Sequence, residues 1–193
     1  MRVILNVVLV ILIIAIGYLL VNSIQEPIKF KAEKDRRTNL VMDKLLTIRK
    51  MQEFHRDIKN GSFANSFDSL AHVLRYGQFR NIKVTGDPDD PNFTGEITYD
   101  TSYIPAFDTI QALGINLDSL QYVPFGGGET FSIQADTMTY QSTLVHVVEV
   151  GTPIKTFMGP FADLKYTKYD NSYKPNNMMK FGDMNKPNLS GNW

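Results

Sequence analysis

The sequence predicts an α+β protein in which an N-terminal transmembrane helix continues, after a proline kink, into an amphipathic helix packed on an antiparallel β-sheet. Three observations predict this fold: an uncharged apolar run at residues 3–21, a helical stripe after it, and β-type alternation in the second half. The 193 residues, 43% of them hydrophobic, are enough for one domain with its own core. We therefore divide the chain into an anchor at 1–22, a kinked helical stem at 23–60 and a globular head at 61–193.

The apolar run, which begins at Val3 and ends at Val21, has the length and composition of a membrane span. As a helix it rises by about 28 Å, close to the thickness of a bilayer's hydrocarbon core. Tyr18 lies near its end, where an amphipathic ring favours the headgroup region. A cleaved signal peptide usually has a shorter apolar run and a small-residue cleavage pattern, which the following segment VNSIQEP lacks. We expect an uncleaved, single-pass anchor in a lipid bilayer.

Two signals disagree about the side of the membrane on which the head lies. Arg2 is the one cationic residue before the apolar run, whereas several cationic residues follow the run. By the positive-inside rule this excess favours a cytoplasmic head. However, a long C-terminal domain can be translocated despite a modest charge bias, and a short tail before an apolar helix is typical of a signal anchor. We expect the head to lie outside the cytoplasm.

Pro27 predicts a kink or a helix boundary, because proline removes a backbone donor and restricts the residue before it. A second helical stretch then runs from about residue 29 to residue 59. The segment KFKAEKDRRTN at its start has no apolar stripe and predicts a charged, solvated stalk that lifts the head off the membrane. Further along, apolar residues recur every three or four positions, which predicts one buried face: Val41, Leu45, Ile48, Met51, Phe54 and Ile58.

The head begins after Asn60 and Gly61, which tolerate the left-handed conformation that ends helices. Ser66 predicts the N-cap of a short helix that Gly77 closes. Alternating or β-branched segments between turn residues then predict strands at 79–85, 96–99, 120–125, 130–135 and 144–150. The glycines at 126–128 predict a hairpin connection, and the last thirty residues predict loop with one edge strand at 178–181.

Composition excludes several classes of function. The chain has no cysteine, which excludes disulfide frameworks, cysteine-ligated metals and a thiol nucleophile. His55, His72 and His146 are scattered, so the usual metal-ligand spacings are missing, and His72 predicts a surface residue. Twenty basic residues balance twenty acidic ones, which argues against a nucleic-acid partner. No nucleophile elbow, HExxH motif or P-loop is present, so we expect no catalytic residues and no enzyme activity.

One loop contains the oxygen ligands that calcium prefers. Asp87, Asp89 and Asp90 lie in the segment GDPDDPN, with Glu96 and Asp100 following. The spacing is not that of an EF-hand, and aspartate with proline is also typical of a plain solvated turn, which is the interpretation we favour. Calcium is the only cofactor that the sequence suggests, and we otherwise expect none.

The order of segments resembles that of type IV pilin-like proteins and the pseudopilins of type II secretion. In that family a long N-terminal helix continues from the membrane into a globular head, and a pattern of aromatic residue, Asn-Gly, aromatic residue and leucine closes it. The matching residues in this chain are Phe54, Asn60, Gly61, Phe63 and Leu70. The chain departs from the family at Leu5, which occupies the place of a processed pilin's glutamate.

The chain is also similar to an uncharacterised family of single-span envelope proteins of Bacteroidetes-type bacteria. The segments SIQEPIKF, LLTIRKMQEFH, NGSFANSFDSL, DSLQYVPF and the closing GNW carry this similarity. The two resemblances imply a bacterial inner-membrane protein with a periplasmic head that acts as a pseudopilin-like structural or interaction subunit of an envelope assembly. Its partners would be the lipid bilayer and other envelope proteins or copies of itself. The alternative is a membrane-anchored sensor or binding module that depends on calcium.

Overall fold

The longest element of the computed structural model, which describes residues 2–85 and 98–193, is a single N-terminal helix that supports an α+β head. Within the described residues, the head has three further α-helices, two short 3₁₀ turns and two separate antiparallel sheets. The elements in chain order are α1 (Arg2–Ile58), α2 (Phe67–Tyr76), β1 (Gln78–Thr85), β2 (Thr98–Pro105), α3 (Ala106–Ala112), β3 (Ser132–Tyr140), β4 (Thr143–Pro153), α4 (Ile154–Met158) and β5 (Met178–Gly182). The predicted α+β class is therefore confirmed.

Helix α1 runs without interruption through Pro27, so the structure excludes a helix boundary at that residue. A kink there stays a prediction. The apolar part of α1 has a mean hydropathy of 3.0 over its most apolar window, and none of that window is buried. Val3, Tyr18 and Val21 are all exposed on it. This part of α1 is apolar all round and is not buried by the residues that the structure describes, and it is long and apolar enough to cross a membrane.

The C-terminal part of α1 carries the buried face that its spacing predicts. Four of the six predicted positions, Val41, Leu45, Ile48 and Met51, are fully buried, while Phe54 and Ile58 are half-buried. They belong to one core with residues of α2, β4, α4 and β5: Leu70, Leu74, Val148, Val150, Phe157 and Phe181. The α1 face and the three-stranded sheet therefore bury their apolar side chains in one core.

That sheet has the strand order β3-β4-β5, and all its neighbours are antiparallel. Strand β4 is central and β5 lies at an edge, which confirms the strands predicted at 144–150 and 178–181. Gly182 ends β5 with a φ of 79°, and a Cβ there would lie 1.9 Å from the Val148 carbonyl oxygen. Only glycine allows this close pairing.

The strand predicted at 120–125 is wrong, whereas the strand predicted at 130–135 is confirmed from Ser132 onward as the first part of β3. Only an isolated bridge joins Tyr122 to Thr130, and β3 begins later and extends to Tyr140. Leu120 and Val123 are buried, so their apolar character reflects a loop packed into the core rather than a strand. The glycines at 126–128 do form the predicted connection, closed by a 3.0 Å bond from the Gly126 amide to the Val123 carbonyl. Helix α3 has no counterpart in the sequence prediction.

The predicted solvated stalk is also wrong. Phe30 is fully buried, Lys34 forms an ion pair with Asp170, and Arg37 Nη1 donates a 2.8 Å hydrogen bond to the Phe157 carbonyl. The first turns after Pro27 therefore pack against the C-terminal region, where Tyr173 is also buried. One aromatic side chain is enough to dock a charged helix, and a single residue leaves no repeated apolar stripe in the sequence.

Candidate functional site

The two-stranded sheet forms a ribbon that projects from the head. Strands β1 and β2 pair along their whole length, from Gln78 with Pro105 to Thr85 with Thr98. The ribbon is held at its root, where the Phe79 ring packs edge-on against Phe54 of α1 at a centroid distance of 5.2 Å. Every other residue of the two strands is exposed. Beyond its root, the ribbon therefore presents both faces to the surroundings of the head.

Those two faces differ in chemistry, because successive side chains of a strand point to opposite sides. One face pairs Ile82 with Thr101 and Val84 with Tyr99, and the other pairs Asn81 with Ser102 and Lys83 with Asp100. We call the first surface the apolar ribbon face. Its four large aliphatic or aromatic side chains and their exposed fractions are Ile82 (45%), Val84 (44%), Tyr99 (66%) and Tyr103 (61%). Arg80, which pairs with Tyr103, lies on the same face at the root of the ribbon.

The apolar ribbon face is the strongest candidate for a functional surface. Single exposed apolar residues are normal on soluble proteins and have no special meaning. Here four large side chains share one side of two paired strands, which is a contiguous patch of the kind found at protein interfaces. In addition, a two-stranded ribbon alone is only marginally stable in water, so a partner on this face would stabilise it.

The calcium candidates Asp87, Asp89 and Asp90 lie between β1 and β2, outside the described residues, and the calcium interpretation stays a prediction. Asp100 is described, and it pairs across the polar face of the ribbon with Lys83. Within residues 2–85 and 98–193, no group of three histidine or carboxylate side chains is placed to hold a metal ion.

A second polar feature joins the end of α1 to the loop that follows it. Gln52 is fully buried, and its amide makes two hydrogen bonds with the backbone of Ala64, of 2.9 and 3.0 Å. His55, also buried, bonds through Nδ1 to the Ser62 carbonyl at 2.9 Å. A carbonyl only accepts, so Nδ1 carries the proton. Burial lowers the pKa of His55 below its ordinary value, which keeps the ring neutral. These bonds clamp the loop onto the helix.

An open cavity of about 440 Å³ lies between His55 and His146. His146 Nδ1 lies 3.0 Å from Thr137 Oγ1, but the two residues are exposed cross-strand neighbours of β3 and β4. Asp136 bonds instead to the Thr137 backbone amide, so it does not orient the imidazole. The contact therefore has the geometry of a sheet-surface pair rather than that of an oriented nucleophile and base.

Only part of these features follows from the sequence. His72 is exposed as predicted and contacts the Tyr76 ring at 5.0 Å. The burial of His55 was not predicted, although it follows Met51 by four residues and so continues the buried face of α1. Ile82 and Val84 are two residues apart, and Tyr99 and Tyr103 are four residues apart, so each pair lies on one face of its strand. This spacing is visible in the sequence, and it is the signal that predicts one apolar face on the ribbon.

Comparison of this chain with protein-family models, with curated proteins and with solved structures finds no match. The resemblances to pilin-like proteins and to the single-span envelope family therefore stay predictions from the sequence.

Proposed function

We propose that the protein is a membrane-anchored interaction subunit of a bacterial envelope assembly, and that its head docks a protein partner through the apolar ribbon face. The single observation that carries the proposal is the exposure of Ile82, Val84, Tyr99 and Tyr103 on one side of the ribbon. An interface buries aromatic and aliphatic anchors of this kind at its centre.

The apolar part of α1 supports the anchor. A core helix of a soluble protein can be equally apolar, but it is mostly buried, and here none of the most apolar window is buried. The segment after Val21 also lacks a small-residue cleavage pattern, which favours an uncleaved anchor over a signal peptide. A bilayer is the solvent that suits residues 3–21, which are all uncharged and, except for the half-buried Gly17, all exposed.

The mechanism that we propose is geometric. Phe54, which holds the root of the ribbon, lies about 50 Å along α1 from Val21 at the usual helical rise. The anchor would fix the protein in the inner membrane, α1 would set the distance, and the ribbon would meet a partner at that height in the periplasm. The partner is another envelope protein or a second copy of the chain, as the pilin-like resemblance implies.

Photo-crosslinking in intact cells tests the proposal with a matched pair of positions. Thr101 and Ser102 are adjacent in β2 but lie on opposite faces of the ribbon. A photoreactive phenylalanine analogue at Thr101 should yield a discrete crosslinked protein, because this side chain lies beside Ile82 on the apolar ribbon face. The same analogue at Ser102 should yield little. The mass of the product distinguishes a second copy from another protein.

Equal crosslinking from both positions, or none from Thr101 at normal expression level, would contradict the proposal. Expression and membrane fractionation of both variants check that the chain is folded and located alike. Protease added to spheroplasts separately tests the periplasmic side, because an intact head would place it in the cytoplasm.

A further inference from the structure

The base of the head carries a small surface beside the point where α1 leaves its apolar run. It consists of the 3₁₀ turn Leu164–Lys168 together with Tyr169, and we call it the foot. Leu164 is 63% exposed although it is aliphatic, and Lys165 and Lys168 are exposed beside it. The turn therefore presents one apolar side chain and two ammonium groups on the same short segment.

Contacts with Glu26 fix the height of the foot along α1. The Tyr169 hydroxyl donates a hydrogen bond to the Glu26 carboxylate, and Lys168 Nζ lies 3.8 Å from the same group. Glu26 lies about 7.5 Å along the helix from Val21 at the usual rise per residue. The headgroup region of a bilayer extends roughly 5–8 Å beyond the hydrocarbon core on each side. The foot thus lies level with the headgroups if the apolar run fills the core.

The foot is held rigidly at this height. The Phe30 ring of α1 stacks on Tyr166 at 5.0 Å and meets Tyr173 edge-on at 5.1 Å. The ion pair of Lys34 with Asp170 adds a second link, and the bonds from Lys34 and Ser172 lower the pKa of Asp170 to about 2. A surface fixed in this way loses little conformational freedom when it meets a second surface.

The charge near the foot suits an anionic surface. Residues 26–34 of α1 and residues 163–170 together carry five lysines and four carboxylates: Lys29, Lys31, Lys34, Lys165 and Lys168 against Glu26, Glu33, Asp163 and Asp170. Ile28 is 62% exposed on the same part of α1, so exposed apolar side chains accompany the cations on both segments. Cations interleaved with apolar side chains at a membrane boundary are typical of segments that rest in the headgroup layer.

We infer that the foot binds the headgroup layer of an anionic phospholipid membrane, with Lys165 and Lys168 against lipid phosphates and Leu164 directed into the interface. This inference rests on the proposed membrane anchor. It adds a second contact with the bilayer, which would hold the head in one orientation above the membrane. The ribbon, at the far end of α1, would then face its partners at a defined angle.

Fluorescence quenching tests the inference in the full-length protein. The chain has a single tryptophan, Trp193, so Trp193→Phe provides a silent background. Leu164→Trp reports on the foot, and Tyr76→Trp is the matched control, at a position near the far end of α1 that is 75% exposed against 63% for Leu164. Each variant is reconstituted into phosphatidylcholine vesicles with or without phosphatidylglycerol, which also contain a lipid with a nitroxide on its headgroup.

In anionic vesicles the Leu164→Trp reporter should be quenched several-fold more strongly than the Tyr76→Trp reporter. Lys165→Glu with Lys168→Glu should reduce the ratio of bound to free foot by at least about 25-fold, since each lysine near an anionic surface contributes about fivefold. The charge-matched control, Lys59→Glu with Lys83→Glu, should leave the quenching unchanged, because both residues lie at the far end of the head.

Two outcomes would overturn the inference. One is equal quenching of the two reporters, and the other is quenching of the Leu164→Trp reporter that is unchanged by Lys165→Glu with Lys168→Glu. Flotation of the vesicles separates this failure from that of the proposed function. Protein that floats but shows no excess quenching has an anchor and no foot contact. Protein that extracts at high pH and does not float lacks the anchor, which overturns both proposals.

Discussion

The two antiparallel sheets of the head have the same local geometry but opposite surroundings. In the three-stranded sheet, Val148, Val150 and Phe181 are buried against α1 and its neighbours. In the ribbon, Ile82 and Val84 have the same aliphatic character, yet both are more than two-fifths exposed. The alternation of apolar and polar residues thus produces a face buried in the core in the three-stranded sheet and an exposed apolar face in the ribbon.

This difference indicates that the three-stranded sheet contributes to the stability of the fold, whereas the ribbon is available to contact a partner. Buried sheet residues contribute hydrophobic free energy to folding, at about 25 cal/mol per Å² of apolar surface. The apolar ribbon face gains that free energy only when something covers it. Substitutions should therefore affect folding in the three-stranded sheet and partner binding in the ribbon.

The largest effect is expected for Gly182→Ala, which would break the three-stranded sheet. A Cβ at this residue would lie 1.9 Å from the Val148 carbonyl oxygen, and the φ of 79° adds backbone strain. We expect a loss of about 3 kcal/mol or more in the free energy of unfolding. Urea unfolding of the full chain in mild detergent measures it, and Trp193 reports on the strand because Gly191, which contacts its ring, pairs with Phe181.

Gly127→Ala is the matched control. Its φ of 64° is also positive, but no atom lies within 4 Å of the added Cβ. The expected cost is therefore only about 1 kcal/mol from the left-handed conformation. Equal losses for the two variants would show that backbone strain, and not the close pairing of β5 with β4, explains the effect.

A matched pair of valines tests the comparison directly. Val150→Ala removes two buried methyl groups from the sheet core and should cost about 2–3 kcal/mol. Val84→Ala makes the same chemical change on the apolar ribbon face and should alter stability by less than about 0.5 kcal/mol. The crosslinking yield from Thr101 should respond in the opposite order, with the loss confined to Val84→Ala. A large loss of stability in Val84→Ala would mean that the ribbon face is already part of the core.

The smallest expected effect is the change of folding stability with pH, and it arises in the core of the head. Burial lowers the pKa of His55 below that of the unfolded chain, so the stabilising contribution is complete above the unfolded value. It is lost as the pH falls below about 6.5, because the unfolded state then binds the proton first. The melting temperature should fall with acidification, and His55→Gln should make this slope shallower.

His72→Gln is the control for that measurement, since it makes the same chemical change at an exposed histidine. An unchanged slope in His55→Gln would show that other groups cause the pH dependence. Strands β1 and β2 contain no histidine, so crosslinking from Thr101 should not follow the same titration.

The elements whose buried residues recur at a regular spacing were predictable from the sequence. The face of α1 at Val41, Leu45 and Ile48 and the central strand β4 follow from spacing alone, because burial on one side imposes a period. The foot was not predictable, since it depends on one buried ring, Phe30, that meets Tyr166 far along the chain. Likewise, the alternation in β1 predicts an apolar face but does not show whether anything covers it.

The unbroken course of α1 has a mechanical consequence. Pro27 removes one hydrogen bond from the helix, but the contacts of Glu26 with Tyr169 and of Lys34 with Asp170 bridge the turns on either side of it. We expect these contacts to stiffen the helix over the roughly 55 Å between the apolar run and Ile58. A change of about 10° in its tilt within the bilayer would displace the far end by about 10 Å. Membrane thickness would thereby set the position at which the ribbon meets its partner.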